Sequence, residues 1–298
     1  MNIFVAGGTG KIGTPLVPFL LERKLQVTVL TRSEENAKKL PPGAQAIIGD
    51  LLDTTLLRRE LGNYDGLFLN CSGDLEIFQG LNAIDIARRC GTIRHLVYIS
   101  GQTPPTLYGV AHCGVKYVTE RVIKDSGIPY TILQPNTFMQ NDEGQRANLN
   151  NGTYGLPLGR VGASRIDTRD IAELAAIAFS TPGHAGKSYI IGGPEVLTGA
   201  ASATVWGQVL GKPIKYIGPD DDMDLFEEAV AKHMPRYFAH DLRIMYEVWG
   251  RDGFITGPED IKELTRLLGR PPRPYLNFVR EMAVKWGLLE RSAAGAKE

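Results

Sequence analysis

The stretch NIFVAGGTGKIG, residues 2–13, decides the fold. Its first five residues form an apolar, strand-like run, and GGTGKIG (7–13) turns at once into a segment with helical spacing. In a strand–turn–helix setting, Gly7 permits the tight turn, Gly10 lets the backbone approach a diphosphate, and Gly13 lets the helix lie close on the sheet. The helix N-terminus then faces the anion. Thr9, Lys11 and Ile12 fill the turn between these glycines and are expected at the same ligand.

Working outward, the runs LQVTVL (25–30), AQAIIG (44–49), GLFLN (66–70), HLVYIS (95–100) and YTILQ (130–134) read as further strands. They are nearly continuous in apolar residues, as expected of strands covered on both faces. Between them, segments starting near Lys11, Glu34, Asp53, Glu76, Tyr108 and Asn136 have helical spacing. Right-handed crossovers would put those helices on both sides of a parallel sheet, giving a doubly wound α/β fold. Gly62 and Asn63, Gly91, and SGIP (126–129) punctuate the alternation. Beyond residue 150 the pattern loosens. NNGTYGLPLG (150–159) suggests a loop or short hairpin, KSYIIGG (187–193) a strand, and helices dominate from about 198. The expected organisation is a dinucleotide-binding domain over 1–150 with returning segments at about 160–195. A smaller, mainly helical lobe follows over 196–291, then a frayed tail, SAAGAKE (292–298).

The 33 basic and 33 acidic residues balance, so no global field favours nucleic acid or an anionic membrane. Three cysteines without CxxC spacing argue against both a disulfide framework and a metal knuckle, and no metal is expected. The sequence enters its first strand directly, with no secretory leader pattern and no membrane-length apolar run. A cytoplasmic protein is expected. DDDMDLFEE (220–228) reads as a capped helix start rather than a calcium loop.

About 20 residues after the glycine turn, where an acid usually receives the adenosine ribose, the sequence reads LTRSEE (30–35). Arg32 stands at the strand end, and its planar guanidinium suits a 2′-phosphate, with Lys11 as a helper. NADP(H) is therefore expected over NAD(H). In GDLLD (49–53), Asp50 is placed to accept from the adenine amino group and Leu51 to pack on its ring, while Asp53 reads as a helix cap. Asn70, Cys71 and Ser72 end the fourth strand at the edge where ligands collect, with Cys71 read as a small packed residue.

Tyr108, His112, Lys116 and Glu120 recur every four residues and form one helical stripe after YISG (98–101), which brings Ser100 to the carboxyl edge of the sheet. The order of glycine turn, strand-end serine and helix with lysine resembles the short-chain dehydrogenases/reductases, but His112 occupies the place of their tyrosine. HCGVKYVTERVIKDSGIPYTILQPNTFMQN (112–141) resembles the NmrA-like atypical branch of that group. IDTRDIA (166–172), GGPEVLT (192–198) and TGPEDIKELTRLLGRPPRPYLNFVREMA (256–283) extend the resemblance over nearly the whole chain. Gln134 stands where that family commonly has arginine.

The resemblance implies a Rossmann domain with a small C-terminal lobe and NADP(H) binding. It also implies either a reductase of quinone-like, aromatic or polyketide-type carbonyl compounds or a non-catalytic NADP(H)-sensing regulator. By position, Lys116 would meet the nicotinamide ribose and Ser100 the substrate or nicotinamide amide. His112 and Tyr108 are the alternative proton donors. Pro135 and Phe138 are expected beside the cofactor, with Phe138 and Met139 as an apolar substrate wall and Asn141 as a polar anchor. Whether C-terminal helices also form a homodimer interface is left open by the sequence.

Overall fold

The chain is described by a computed structural model over residues 1–71, 73, 75–219 and 222–289; Ser72 and the tail 292–298 lie outside the described residues. It folds as two compact units. The first comprises Met1–Pro135, Thr168–Ile191 and Pro258–Pro271, and the second Asn136–Asp167, Gly192–Gly257 and the described part of Pro272–Glu298. This division differs from the one expected at residue 150. Residues 136–150 fold with the second unit, where Met139 N–H donates to the Ile166 carbonyl and Ile166 N–H to that of Thr137. Residues 258–271 were expected in the lobe, but their helix packs on the last strand of the main sheet.

The first unit is built on seven strands: β1 (Asn2–Ala6), β2 (Gln26–Thr31), β3 (Ala44–Ile48), β4 (Gly66–Leu69), β5 (His95–Ile99), β6 (Tyr130–Pro135) and β7 (Lys187–Ile191). All pair in parallel in the order β3-β2-β1-β4-β5-β6-β7. Its helices are α1 (Gly13–Glu22), α2 (Glu34–Ala37), α3 (Thr54–Glu60), α4 (Glu76–Cys90), α5 (Ala111–Asp125), α6 (Thr168–Ser180) and α7 (Pro258–Leu268). Strand order reverses between β1 and β4, and the crevice beyond their carboxyl ends is where a doubly wound sheet receives a ligand. Ile3, Phe4, Val5, Leu67, Phe68 and Leu96 have no exposed surface, so the central strands are covered on both faces.

At the edge strand β3 the expectation of two covered faces fails: Gln45, Ala46 and Ile48 are exposed. The reason is local, because α2 is a single turn that buries none of its residues. Asp53 caps α3 as expected, accepting from the N–H groups of Thr55 and Leu56 at 3.0 and 2.9 Å. Gly91 ends α4 in the left-handed conformation (φ 69°).

Near the amino ends of the strands, His95 Nε2 lies 2.9 Å from Thr131 Oγ1, whose own hydrogen goes to the His184 carbonyl at 2.9 Å. His184 meets Tyr189 at 3.0 Å and Thr181 at 2.9 Å. Burial disfavours the charged rings, lowering His95 to about 4 and His184 below its ordinary value.

In the second unit, Thr153–Tyr154 pairs in parallel with Lys215–Tyr216. Residues 150–159, expected as a loop or short hairpin, are mostly turn and loop, and the partner of their two-residue strand comes from much later in the chain. Helices Gly199–Leu210, Met223–Val230, Arg236–Asp252 and Tyr275–Lys285 make up most of the unit's regular structure. Asp222 caps the second of these at 3.3 Å, as the helix-start reading of 220–228 requires; Asp220 and Asp221 lie outside the described residues. The core of this unit holds a buried polar cluster among apolar side chains. Asp142 and Arg165, both without exposed side-chain surface, pair at 2.6 Å. Asp142 also accepts from the Tyr154 hydroxyl (2.6 Å), the Trp206 indole N–H (2.9 Å) and the Tyr275 hydroxyl. Arg165 further donates to the carbonyls of Phe138 and Met139 at 3.2 Å each, and its guanidinium lies 4.9 Å from the Tyr275 ring centre.

Two outcomes follow from these clusters. Asp142→Ala leaves a buried guanidinium without its anion and should cost about 3–5 kcal/mol of stability, read from the urea midpoint. Because the unfolded histidines bind protons that the folded ones refuse, the stability contributed by His95 is present above pH about 6.5 and is lost as pH falls toward about 4. Thermal melts across that window should show the decline, and His95→Gln should flatten it.

Candidate functional site

The turn between β1 and α1 is shaped by contacts that only glycine tolerates. Gly7 has φ 84°, and a Cβ there would lie 2.8 Å from the Asn70 carbonyl oxygen at the end of β4. A Cβ on Gly13 would lie 2.2 Å from the Gly7 carbonyl oxygen and 2.4 Å from Gly8 Cα, which are backbone atoms that cannot swing away. Gly10 N–H donates to the Gly7 carbonyl at 3.1 Å and closes the turn. The first turn of α1 carries no acidic residue and no side-chain cap, so the positive end of the helix faces the turn, although Thr14 N–H is taken by the Gly10 carbonyl at 2.9 Å and Pro15 has no N–H. A cleft of about 300 Å³ opens here, and its lining includes Gly7, Thr9, Gly10, Arg32, Leu51 and Asn70. This tight glycine turn at a helix N-terminus fits the diphosphate of a dinucleotide, with buried Ile12 packed behind it.

Toward the adenosine end, Arg32 follows β2 on the surface and lines the cleft. Ser33 caps α2 by accepting from Asn36 N–H at 3.2 Å, and Glu35 is paired with Lys39 at 2.7 Å. The guanidinium therefore precedes the nearby acids. One oxygen of Asp50 accepts from Leu52 N–H at 2.9 Å, holding the carboxylate in its own turn at the cleft wall. Leu51 is buried, and Lys11 is exposed beside the turn. Burial pushes the Cys71 thiol up to about 12, which leaves it a packed, protonated group rather than a nucleophile.

At the other end of the carboxyl edge, α5 begins only at Ala111 after an extended Val110, so Tyr108 precedes the helix and the expected stripe reduces to His112, Lys116 and Glu120, running from surface to interior. Tyr108 is 46% exposed, with its ring 4.7 Å from that of Tyr117. His112 is half-buried in the first turn of α5. Lys116 is largely enclosed, and its ammonium is 2.5 Å from Glu76 Oε1 and 3.3 Å from the Ile99 carbonyl, which accepts from it. Its Nζ also lies 5.6 Å from the centre of the Tyr98 ring. Ser100 is buried and its hydroxyl donates to Glu120 Oε1 at 2.6 Å. Gln134 donates to the same oxygen at 2.7 Å, and Lys124 to Oε2 at 3.3 Å. Gln134, where arginine is common, thus serves Glu120 with a neutral amide. The fold brings Ser100, His112 and Lys116 to one edge, with the polar atoms of Ser100 and Lys116 already held by carboxylates.

Sequence reasoning missed Glu76 as a partner of Lys116, although an acid in the first turn of a helix that leaves the switch-point strand was the available signal. It also missed Gln79, one turn on, which lines the cleft. Pro135, at the end of β6, is buried. Three expected substrate or cofactor residues belong to the second unit. There Met139 is fully buried, Phe138 is half-buried, and Asn141 donates to Thr137 Oγ1 at 3.2 Å.

The chain is 29% identical to the NAD(P)H azoreductase of Xenophilus azovorans over 290 residues, 96% of this chain and 99% of that one. Among solved structures, an NADPH-dependent quinone oxidoreductase from Escherichia coli in complex with NADPH superposes with a TM-score of 0.82 at 24% identity, covering 94% of this chain and 99% of that one. NmrA, a negative transcriptional regulator, gives 0.76 at 18% identity, with 94% of each chain covered. At such identities the two structures show a shared fold. A model of the NmrA-like family matches residues 1–267, and with that span covering both the glycine cradle and the α5 stripe, the chain belongs to the NmrA-like family.

Proposed function

We propose that the protein is an NADPH-dependent reductase that delivers a hydride to a quinone-like, aromatic or polyketide-type carbonyl compound. The observation that carries this reading is the cleft itself: a diphosphate cradle too tight for any Cβ at Gly7 or Gly13, with Arg32 at the adenosine end. The azoreductase relative, matched along nearly its whole length, supports a reductase. When bound, the reduced dinucleotide supplies the hydride.

The residues of the chain do the rest. Arg32 clamps the 2′-phosphate, assisted by Lys11, and Asn70 and Leu51 border the nucleotide. Lys116 presents its ammonium to the nicotinamide ribose and to oxygen that gains electron density. His112, in the first turn of α5, or Tyr108, just ahead of that helix, is the source of the proton. A quinone-like acceptor suits a site with histidine in place of tyrosine, because its product spreads charge over a ring and draws less on a strong acid.

A second reading is a dinucleotide-sensing regulator, favoured by the same substitution at His112 and by the fold shared with NmrA. Pull-downs with and without NADP(H) separate the two readings: a regulator gains or loses a protein partner with the dinucleotide and shows no turnover, whereas the reductase consumes NADPH in step with an added quinone.

Calorimetric titration tests the cofactor assignment first. Arg32→Ala removes a charge-assisted contact of about 1.5–3 kcal/mol, so NADPH affinity should fall roughly tenfold to a hundredfold. NADH affinity should stay within about twofold, since that ligand lacks the phosphate. Equal losses for both nucleotides would remove Arg32 from the 2′-phosphate.

A further inference from the structure

Lys116 is held by more than the helix that carries it. Its ammonium and the carboxylate of Glu76 come from different helices, α5 and α4, and meet at 2.5 Å with side chains only 16% and 10% exposed. The Ile99 carbonyl at 3.3 Å and the face of Tyr98 complete the seat. The ammonium donates a hydrogen bond to the Ile99 carbonyl, and Glu76 holds it by charge, as an ion pair.

A buried ion pair is a poor source of stability, since desolvation offsets the Coulomb gain and an apolar pair of similar size often does as well. This one also sits at the carboxyl edge, where the sheet receives its ligand. Glu76 opens α4, where the helix N-terminus favours a carboxylate. Three residues on, Gln79 lines the dinucleotide cleft. The same helix thus borders the cofactor cleft and grips the lysine. A lysine stem is flexible, and without the anion the contacts described for its ammonium are one carbonyl and a ring face.

We propose that Glu76 is a positioning residue: its carboxylate fixes the Lys116 ammonium at the carboxyl edge of the sheet in the geometry that hydride transfer uses. This rests on the reductase reading above, and its test is chosen to stand apart from that reading. Glu76→Gln keeps the shape and one acceptor but removes the charge. Glu76→Asp keeps the charge on a shorter stem. The double variant Glu76→Gln/Lys116→Met leaves no unpaired charge, so it is expected to fold even where the single variant is weakened; thermal melts establish that each is folded.

The first readout is a lysine side-chain ¹⁵N–¹H spectrum of the ligand-free protein. The enclosed, ion-paired ammonium of Lys116, assigned by its disappearance in Lys116→Met, should give a slowly exchanging peak. That peak should be lost in Glu76→Gln and retained in Glu76→Asp. Persistence of the peak in Glu76→Gln would overturn the proposal whether or not the protein turns over. The second readout is steady-state reduction of a soluble benzoquinone by NADPH. With Glu76→Gln, kcat should fall about tenfold while the Kd for NADPH, set by phosphate contacts elsewhere, stays within about threefold. In the Lys116→Met background the same substitution should cost about nothing. An undiminished kcat, or an equal loss in both backgrounds, would overturn it. No quinone reduction by the unaltered protein would count against the reductase reading, and the spectrum would still decide the position of the lysine.

Discussion

The closeness of one backbone crossing governs the first unit. Gly13 lies so tightly on Gly7 and Gly8 that no side-chain carbon can be inserted, and this sets where α1 starts and how its N–H groups are aimed. Gly7 in turn abuts the end of β4, which ties the turn to the neighbouring strand at the point where the strand order reverses. Where the turn can receive an anion derives from that contact.

Buried charge is handled differently in the two units. In the second, Asp142 collects an arginine, two tyrosine hydroxyls and an indole, and every contact is internal. Such a network specifies one arrangement of its segments rather than adding much net stability. In the first, Glu76 and Glu120 each engage a group expected to face the ligand, Lys116 and Ser100. A carboxylate beneath each of these groups fixes its direction and keeps local charge near balance, so polar atoms at the edge are organised before a ligand arrives.

The sequence was most legible where the physics is local. Glycine at 10 and 13 and the cap at Asp53 act within a few residues of themselves, and the parallel strands announced themselves by apolar runs. Contacts that close over long separations were not legible. Glu76 and Lys116 are 40 positions apart, and Tyr275 reaches Asp142 across 133. No periodicity encodes such pairings. The unit boundaries were missed for a related reason: Pro258–Leu268 reads as one more amphipathic helix, and only its packing on β7 places it with the sheet.

The discontinuity of the first unit bears on how the protein is made. A ribosome delivers Met1–Pro135 with six of the seven parallel strands, and β6 is at that moment an edge with unpaired backbone groups. Its partner β7 arrives about 50 residues later and α7 about 70 residues after that, with second-unit residues emerging in between. The nascent sheet must wait with an open edge, a state in which strand-to-strand association between neighbouring chains competes with completion. Slow synthesis through that interval therefore exposes this fold to aggregation more than a contiguous domain of the same size.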